Sequence, residues 1–309
     1  MKQKVLLSII IAFIISFSIF TLFQYYYWDT LPTKQSNFYF TNYDESNSKI
    51  LLIGSSEVGM LNATLIESII HERHSNIQVF NLASTSDKPS VRLREIPDIL
   101  SLNPKIIVYG IGIRDFSSND VVIGPLPDPN LSVSNYISSH TPYFFDNPKL
   151  VSLNVIKNVT GYRNEAVKFE SNTPFFQYRS DYDNVIDLNE LEKKFVPKSQ
   201  LQILDSNENR EFKSLKEIID KLSENNITTI VFITPHNSFF LDSISQKERK
   251  NFDEMIYEIH SNSDVEVYSL MNNFSKMNIW MSENHITHGP EGKIYDEDIT
   301  NLILRNLER

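Results

Sequence analysis

Lys49-Ile-Leu-Leu-Ile-Gly-Ser-Ser-Glu-Val-Gly59 opens with five residues that read as a β-strand. It breaks at Gly54-Ser55-Ser56 and then takes up a helical pattern. A short apolar run without alternation marks a parallel strand covered on both faces. Open α/β sheets bind ligands at the carboxyl ends of such strands. A serine in that turn has an exposed hydroxyl and a helix N-terminus behind it, where negative charge is stabilised. The turn thus supplies a candidate nucleophile. The plainer alternative is that Ser55 and Ser56 only cap the following helix.

The pattern repeats outward from this segment. A helical face follows with Leu61, Leu65, Ile66, Ile69 and Ile70. Ile77 to Leu82 reads as a second strand ending at Ala83-Ser84. A helix from about Ser90 to Leu100 leads to a third strand, Lys105 to Tyr109, which ends at Gly110-Ile-Gly112. Leu215, Ile218, Ile219 and Leu222 mark another helix. Thr228 to Ile233 and Val265 to Leu270 are the fourth and fifth strands, and Ile299, Leu302, Ile303 and Leu307 line the last helix. Strands alternating with helices at this spacing imply an α/β fold, a three-layer α/β/α sandwich on a five-stranded parallel sheet. Right-handed crossovers then bring Gly54, Ala83 and Gly112 to one edge.

Phe116 to Arg210 breaks the rhythm with seven prolines and many aromatics, and reads as an insertion at about 116–210 within a domain spanning 49–309. Tyr143-Phe-Phe145 and Phe175-Phe-Gln-Tyr178 line a pocket or, more simply, form a local core.

The amino terminus determines topology. Lys2 and Lys4 precede the uncharged run Val5 to Phe23, long enough to cross a bilayer, and Tyr25-Tyr-Tyr-Trp28 follows as an interfacial belt. Residues 1–28 therefore read as a single-pass transmembrane anchor, uncleaved for want of an Ala-x-Ala signal. The lysines put the N-terminus in the cytoplasm and the domain outside the cell membrane. Residues 29–48, polar and turn-rich, read as a tether; a chain of that length confines the domain to a thin shell above the membrane. A buried core helix is the competing reading of the apolar run.

Composition adds exclusions. With a formal net charge of −10 and no basic cluster, the chain is no partner for nucleic acid. It has no cysteine, hence neither disulfides nor thiolate metal sites. Five Asn-x-Ser/Thr sequons begin at Asn62, Asn130, Asn158, Asn226 and Asn273, triplets that an Asn- and Ser-rich chain also produces by chance.

A second informative segment is Trp280-Met-Ser-Glu-Asn-His-Ile-Thr-His-Gly-Pro-Glu-Gly292, with two of the chain's seven histidines three residues apart just before the last helix. A loop histidine there can swing over the carboxyl edge of the sheet, take the Ser56 proton and return it to a leaving group. Glu283 is the nearest acidic candidate to orient it. Metal binding by His285 and His288 with Glu283 or Glu291 is an alternative without a recognised ligand spacing, and loop hydrogen bonding is another.

Together these blocks resemble the SGNH/GDSL hydrolase superfamily, with its flavodoxin-like sheet. Gly54-Ser55-Ser56 matches the Gly-x-Ser nucleophile block. The Gly-Ser-Ser-Glu form looks particularly like membrane-anchored members that handle acyl groups on surface polymers, of the teichoic acid D-alanyl transfer and alginate O-acetyltransferase kind. Asn81-Leu-Ala83-Ser84 matches the second block only in part. The third block, usually Gly-x-Asn-Asp, stands as Gly112-Ile-Arg114-Asp115. The resemblance implies an oxyanion and substrate-binding region built from Ala83, Ser84, Gly112 and Arg114. The usual Asp-x-x-His is absent; Ser282 stands three residues before His285, and His285 three before His288. His285-Ile-Thr matches the family's His-aliphatic-Thr/Ser pattern, which makes His285 the base and His288 the reserve. Glu283 then replaces the aspartate from a shifted position, or the site is a Ser-His dyad.

The expected function is a membrane-anchored extracytoplasmic serine esterase or O-acyltransferase acting on acylated surface glycans or a lipid-linked glycan, with no cofactor and no metal. The alternatives are a catalytically inactive SGNH-like binding module and an accessory subunit docked on a multispanning membrane partner.

Overall fold

The computed structural model describes residues 47–84, 87–118, 180–195, 201–263 and 265–308, together with residues 16 and 18. Apart from those two positions, the anchor lies outside the described residues, as does the tether up to residue 46. So do insertion residues 119–179 and 196–200, which include the two aromatic clusters. Among the described residues no helix is long and apolar enough to cross a membrane.

Five strands form one parallel sheet: β1 (Ser48–Gly54), β2 (Ile77–Asn81), β3 (Ile106–Ile111), β4 (Thr228–Ile233) and β5 (Glu266–Ser269), in the order β2-β1-β3-β4-β5. The order reverses between β1 and β3, the switch point where doubly wound sheets open a ligand crevice. Lys49 through Gly54 and all of β3 are buried residue after residue, so both faces of the sheet are covered.

The helices are α1 (Ser56–Gly59), α2 (Ala63–His71), α3 (Pro89–Ser101), α4 (Leu188–Lys194), α5 (Arg210–Glu224), α6 (Ser238–Ser243), α7 (Gln246–Asn262) and α8 (Lys293–Leu307). α2 packs on β2 and against α8, α3 packs against α5, and α7 lies along β5. α5 shows why such a segment docks: Phe212, Leu215, Ile218, Ile219 and Leu222 form one buried stripe, and Asn209 caps it by accepting the Phe212 N–H at 3.0 Å.

Two features differ from the sequence reading. The helix after Ser56 is not continuous: α1 is one turn, and α2 restarts at Ala63 because the Asn62 side chain accepts the Leu65 N–H and caps a new helix. Leu61, read as part of the helical face, is fully buried in the break. Between β4 and β5 the chain carries α6 and α7, which the apolar pattern did not reveal. α7 begins with a capping box of Ser245 and Glu248 and is otherwise strongly polar.

Candidate active site

The nucleophile turn is built by close approach. Gly54 pairs with Gly110 across β1 and β3, and Gly54 has φ +143°, a conformation open to glycine. Val58 packs into the space where a Cβ of either glycine would stand, 2.6 Å from that of Gly54 and 2.3 Å from that of Gly110. The strand can therefore turn sharply into α1. Asn81, buried at the end of β2, holds this turn: its Nδ2 donates to the Val58 carbonyl at 2.9 Å and to the Leu61 carbonyl at 3.0 Å. Ser56 is the first residue of α1 and stays half-buried, its N–H unused by the turn's own hydrogen bonds.

The second half of the site comes from the chain after β5. Residues 279–287 fold back on themselves: the Thr287 N–H donates to the Ile279 carbonyl at 2.8 Å, the Met281 N–H to the His285 carbonyl at 2.9 Å, and Trp280 bridges Ile286. Trp280 is fully buried and its indole N–H donates to the Phe274 carbonyl at 3.2 Å. The tip carries Ser282, Glu283 and Asn284. Asn237, buried before α6, donates from Nδ2 to the Glu283 carbonyl, and its Oδ1 caps α6 by accepting the Phe240 N–H at 3.0 Å. The returning end of the insertion braces the other side, with Ile186 N–H on the Trp280 carbonyl and His288 N–H on the Tyr182 carbonyl, both at 2.8 Å.

This scaffold places His285 Nε2 2.8 Å from Ser56 Oγ and His285 Nδ1 2.8 Å from Ser282 Oγ. Ser282, three residues before the base, thus stands at its far ring nitrogen. Burial pulls the His285 pKa below its ordinary value; Arg114 acts in the same direction, against Glu57 and Glu283. The ring is therefore neutral at pH 7, the state a general base needs. For Nε2 to accept the Ser56 proton, Nδ1 must carry the hydrogen and donate it to Ser282 Oγ. A hydroxyl can also donate, so Ser282 fixes the ring plane without dictating the tautomer as a carboxylate does.

The other residues expected at the site fall as follows. The residue at His285 Nδ1 is Ser282 rather than Glu283, whose backbone carbonyl accepts from Asn237 and whose charge acts to raise the His285 pKa. The physical reason is that position 283 sits at the tip, while position 282 faces Nδ1. His285, not His288, meets Ser56; His288 Nδ1 stands 3.9 Å from Asp183. The amides of Ala83 and Ser84 are not oxyanion donors, because both are consumed: Ala83 N–H donates to Asn81 Oδ1, and Ser84 N–H extends the parallel ladder onto the Gly54 carbonyl, each at 3.0 Å. Gly112 is buried at the edge beyond β3, its N–H donating to Asp115 Oδ2 at 2.7 Å. Arg114 follows on a 3-10 turn, near enough to hold down the pKa of both His285 and His236. Among the described residues no three His, Asp or Glu side chains gather closely enough to hold a metal ion.

Three residues at the site were not singled out from sequence. Asn81 pins the nucleophile turn. Glu57 is buried beside Ser56, with its carboxylate accepting the Ser55 hydroxyl. Burial works against its charge; the His285 and His236 rings favour it when protonated, as do the Ser55 hydroxyl and a backbone N–H, and its pKa lies below the ordinary value. His236, just past β4, is fully buried; among the described residues neither ring nitrogen has a hydrogen-bond partner, and burial pulls its pKa to about 4. All three sit at or just beyond strand ends, the signal that marked Gly54 and Gly112.

No family model matches this chain, and no curated protein matches it. Solved structures with some likeness include the psychrotrophic esterase EstA from Pseudoalteromonas sp., at 12% identity over 85% of this chain and 100% of that one, with a TM-score of 0.41. An acetyl xylan esterase, AlAXEase, is similar at 11% identity over 84% and 98%, TM-score 0.42. The acetylxylan esterase Axe2 from Geobacillus stearothermophilus, a catalytic mutant, is similar at 11% over 83% and 94%, TM-score 0.41.

Proposed function

We propose that this chain is an SGNH-type serine esterase or O-acyltransferase. The observation that carries the reading is the 2.8 Å contact between Ser56 Oγ and His285 Nε2, in a ring that burial keeps neutral. Ser56 Oγ attacks an ester carbonyl as its proton passes to Nε2; the carbonyl electron pair moves onto oxygen, where the Ser56 N–H and the Arg114 charge stabilise it. Collapse breaks the bond to the leaving oxygen, which takes the proton from Nε2. Water or an acceptor hydroxyl then releases the acyl-serine by the same steps in reverse.

The location and substrate belong to the same proposal. Val5 to Phe23, preceded by lysines and followed by aromatics, supports a single-pass anchor with the domain outside the membrane. A short tether keeps the site close to the bilayer, which suits an acylated surface glycan, a lipid-linked glycan, or acyl groups delivered by a multispanning partner. The serine at position 282, where a carboxylate would be usual, favours a second reading, a binding or accessory subunit without turnover. A fluorophosphonate probe on the full-length protein decides between them. Labelling lost in both Ser56→Ala and His285→Ala supports the enzyme, and an unlabelled wild-type protein supports the accessory role.

A further inference from the structure

A base that accepts a proton becomes a cation, and serine hydrolases meet that charge with a carboxylate on the far ring nitrogen. Here that nitrogen meets a neutral hydroxyl, Ser282 Oγ at 2.8 Å. The charge must come from elsewhere or be absent.

Glu57 is the candidate that the fold supplies. It follows the nucleophile directly in α1, and only 8% of it is exposed. Among the described residues no lysine or arginine forms an ion pair with it; its hydrogen-bond donor is the Ser55 hydroxyl. A buried carboxylate without a cationic partner is costly to keep. The groups that face it are the His285 ring, from the hairpin after β5, and the His236 ring, from the loop after β4; the Ser55 hydroxyl and a backbone N–H favour its charged form, and His285 does so once it takes a proton. Asp115 faces it from the turn after β3 and Tyr295 from α8. Burial and the nearby Glu57 push Asp115 well above its usual pKa, whereas Glu57 lies below its own. Arg114 and Glu283 also act on His285, with opposite signs.

We propose that Glu57 supplies the negative charge that stabilises protonated His285 while Ser282 only orients the ring, so that the two tasks of a triad carboxylate are divided between a residue beside the nucleophile and a residue beside the base. This rests on the serine-enzyme reading above. In the attack step the Ser56 proton moves to Nε2, the Oγ–carbon bond forms, and the new imidazolium lies within the field of the Glu57 carboxylate. When the leaving oxygen takes that proton, the ring returns to neutral and the field no longer matters. Glu57 neither gains nor loses a proton.

The test is the pH dependence of fluorophosphonate inactivation of the full-length protein, which reads the base without knowledge of the natural substrate. Glu57→Gln keeps an acceptor for the Ser55 hydroxyl and removes the charge. It should slow inactivation roughly 10- to 100-fold, and the acidic limb, set by His285, should move to lower pH. Ser282→Ala should slow inactivation without lowering that limb. Ser282→Asp added to Glu57→Gln should restore both rate and limb. A wild-type rate and limb in Glu57→Gln, with Ser56 still labelled, overturns the proposal while leaving the serine-enzyme reading intact; a wild-type protein that is not labelled overturns both. Should Glu57→Gln fail to fold, Ser282→Asp alone decides. With a working carboxylate already present it should gain less than about tenfold, and a gain of hundreds-fold would show that the native site has none.

Discussion

Gly54 lies opposite Gly110 so closely that a Cβ on Gly54 would stand 2.3 Å from the Gly110 carbonyl oxygen. The two glycines set the distance between the first and third strand ends, and therefore the position of Ser56 above the sheet. Gly54→Ala forces a side chain into φ +143° and into that oxygen. It should destabilise the fold by roughly 2–4 kcal/mol, read as a lower urea midpoint with unchanged slope. Fluorophosphonate labelling should fall even at temperatures where the variant remains folded. A variant as stable as wild type would mean that the strand ends can separate without cost.

Asn237 joins the α6 cap to the hairpin tip that carries the base. Asn237→Ser keeps an oxygen for the Phe240 N–H but no longer reaches the Glu283 carbonyl. Serine caps nearly as well as asparagine, so the unfolding free energy should change by only about 1 kcal/mol. Labelling should slow about 10- to 100-fold as the base loses its placement. Equal losses in stability and rate would assign Asn237 a purely structural role.

Arg92 holds the loop after β2: its Nε donates to Asp87 Oδ2 at 2.7 Å, both side chains buried, and its Nη2 to the half-buried Leu82 carbonyl at 3.1 Å. Arg92→Leu leaves Asp87 without its cation and should cost about 3–5 kcal/mol. Asp87→Asn combined with Arg92→Leu should recover much of that loss, because the stranded charge is gone. Urea unfolding of the two variants checks the order; a double variant less stable than Arg92→Leu would refute it.

His236 makes the fold sensitive to acid. Its ring is held at a pKa of about 4 against an ordinary 6.5, so between those values the unfolded chain takes up a proton that the folded protein refuses. Its contribution is complete above pH 6.5 and lost as the pH falls toward 4, at up to about 1.4 kcal/mol per pH unit. His236→Gln should lose less stability than wild type between pH 7 and 4.5. Parallel curves for the two proteins would assign the acid sensitivity to other groups.

The parts legible in the sequence are those whose physics is periodic or local. Five buried strands announce themselves as apolar runs, and their ends point to Ser56 and to the loop of His285. The missed helix α7 buries Phe252, Met255 and Ile259 among charged residues, a stripe too thin to stand out. Charge as the sign of an orienting residue points to Glu283, whereas spacing points to Ser282. The structure gives the ring to the residue with the right spacing. Glu57, Asn81 and His236 act through where three different strands bring them, and no short motif encodes that meeting.

Trp280 has an optical consequence. The chain contains two tryptophans, and Trp28 belongs to the segment read as the anchor. In a Trp28→Phe background the remaining indole sits fully buried in the same hairpin as His285, its N–H bonded to the Phe274 carbonyl. Its emission then reports on a few residues around the base, blue-shifted while the hairpin is closed and moving to the red when water enters. The protein carries its own fluorescent gauge of whether the base is in place, readable in the absence of any substrate.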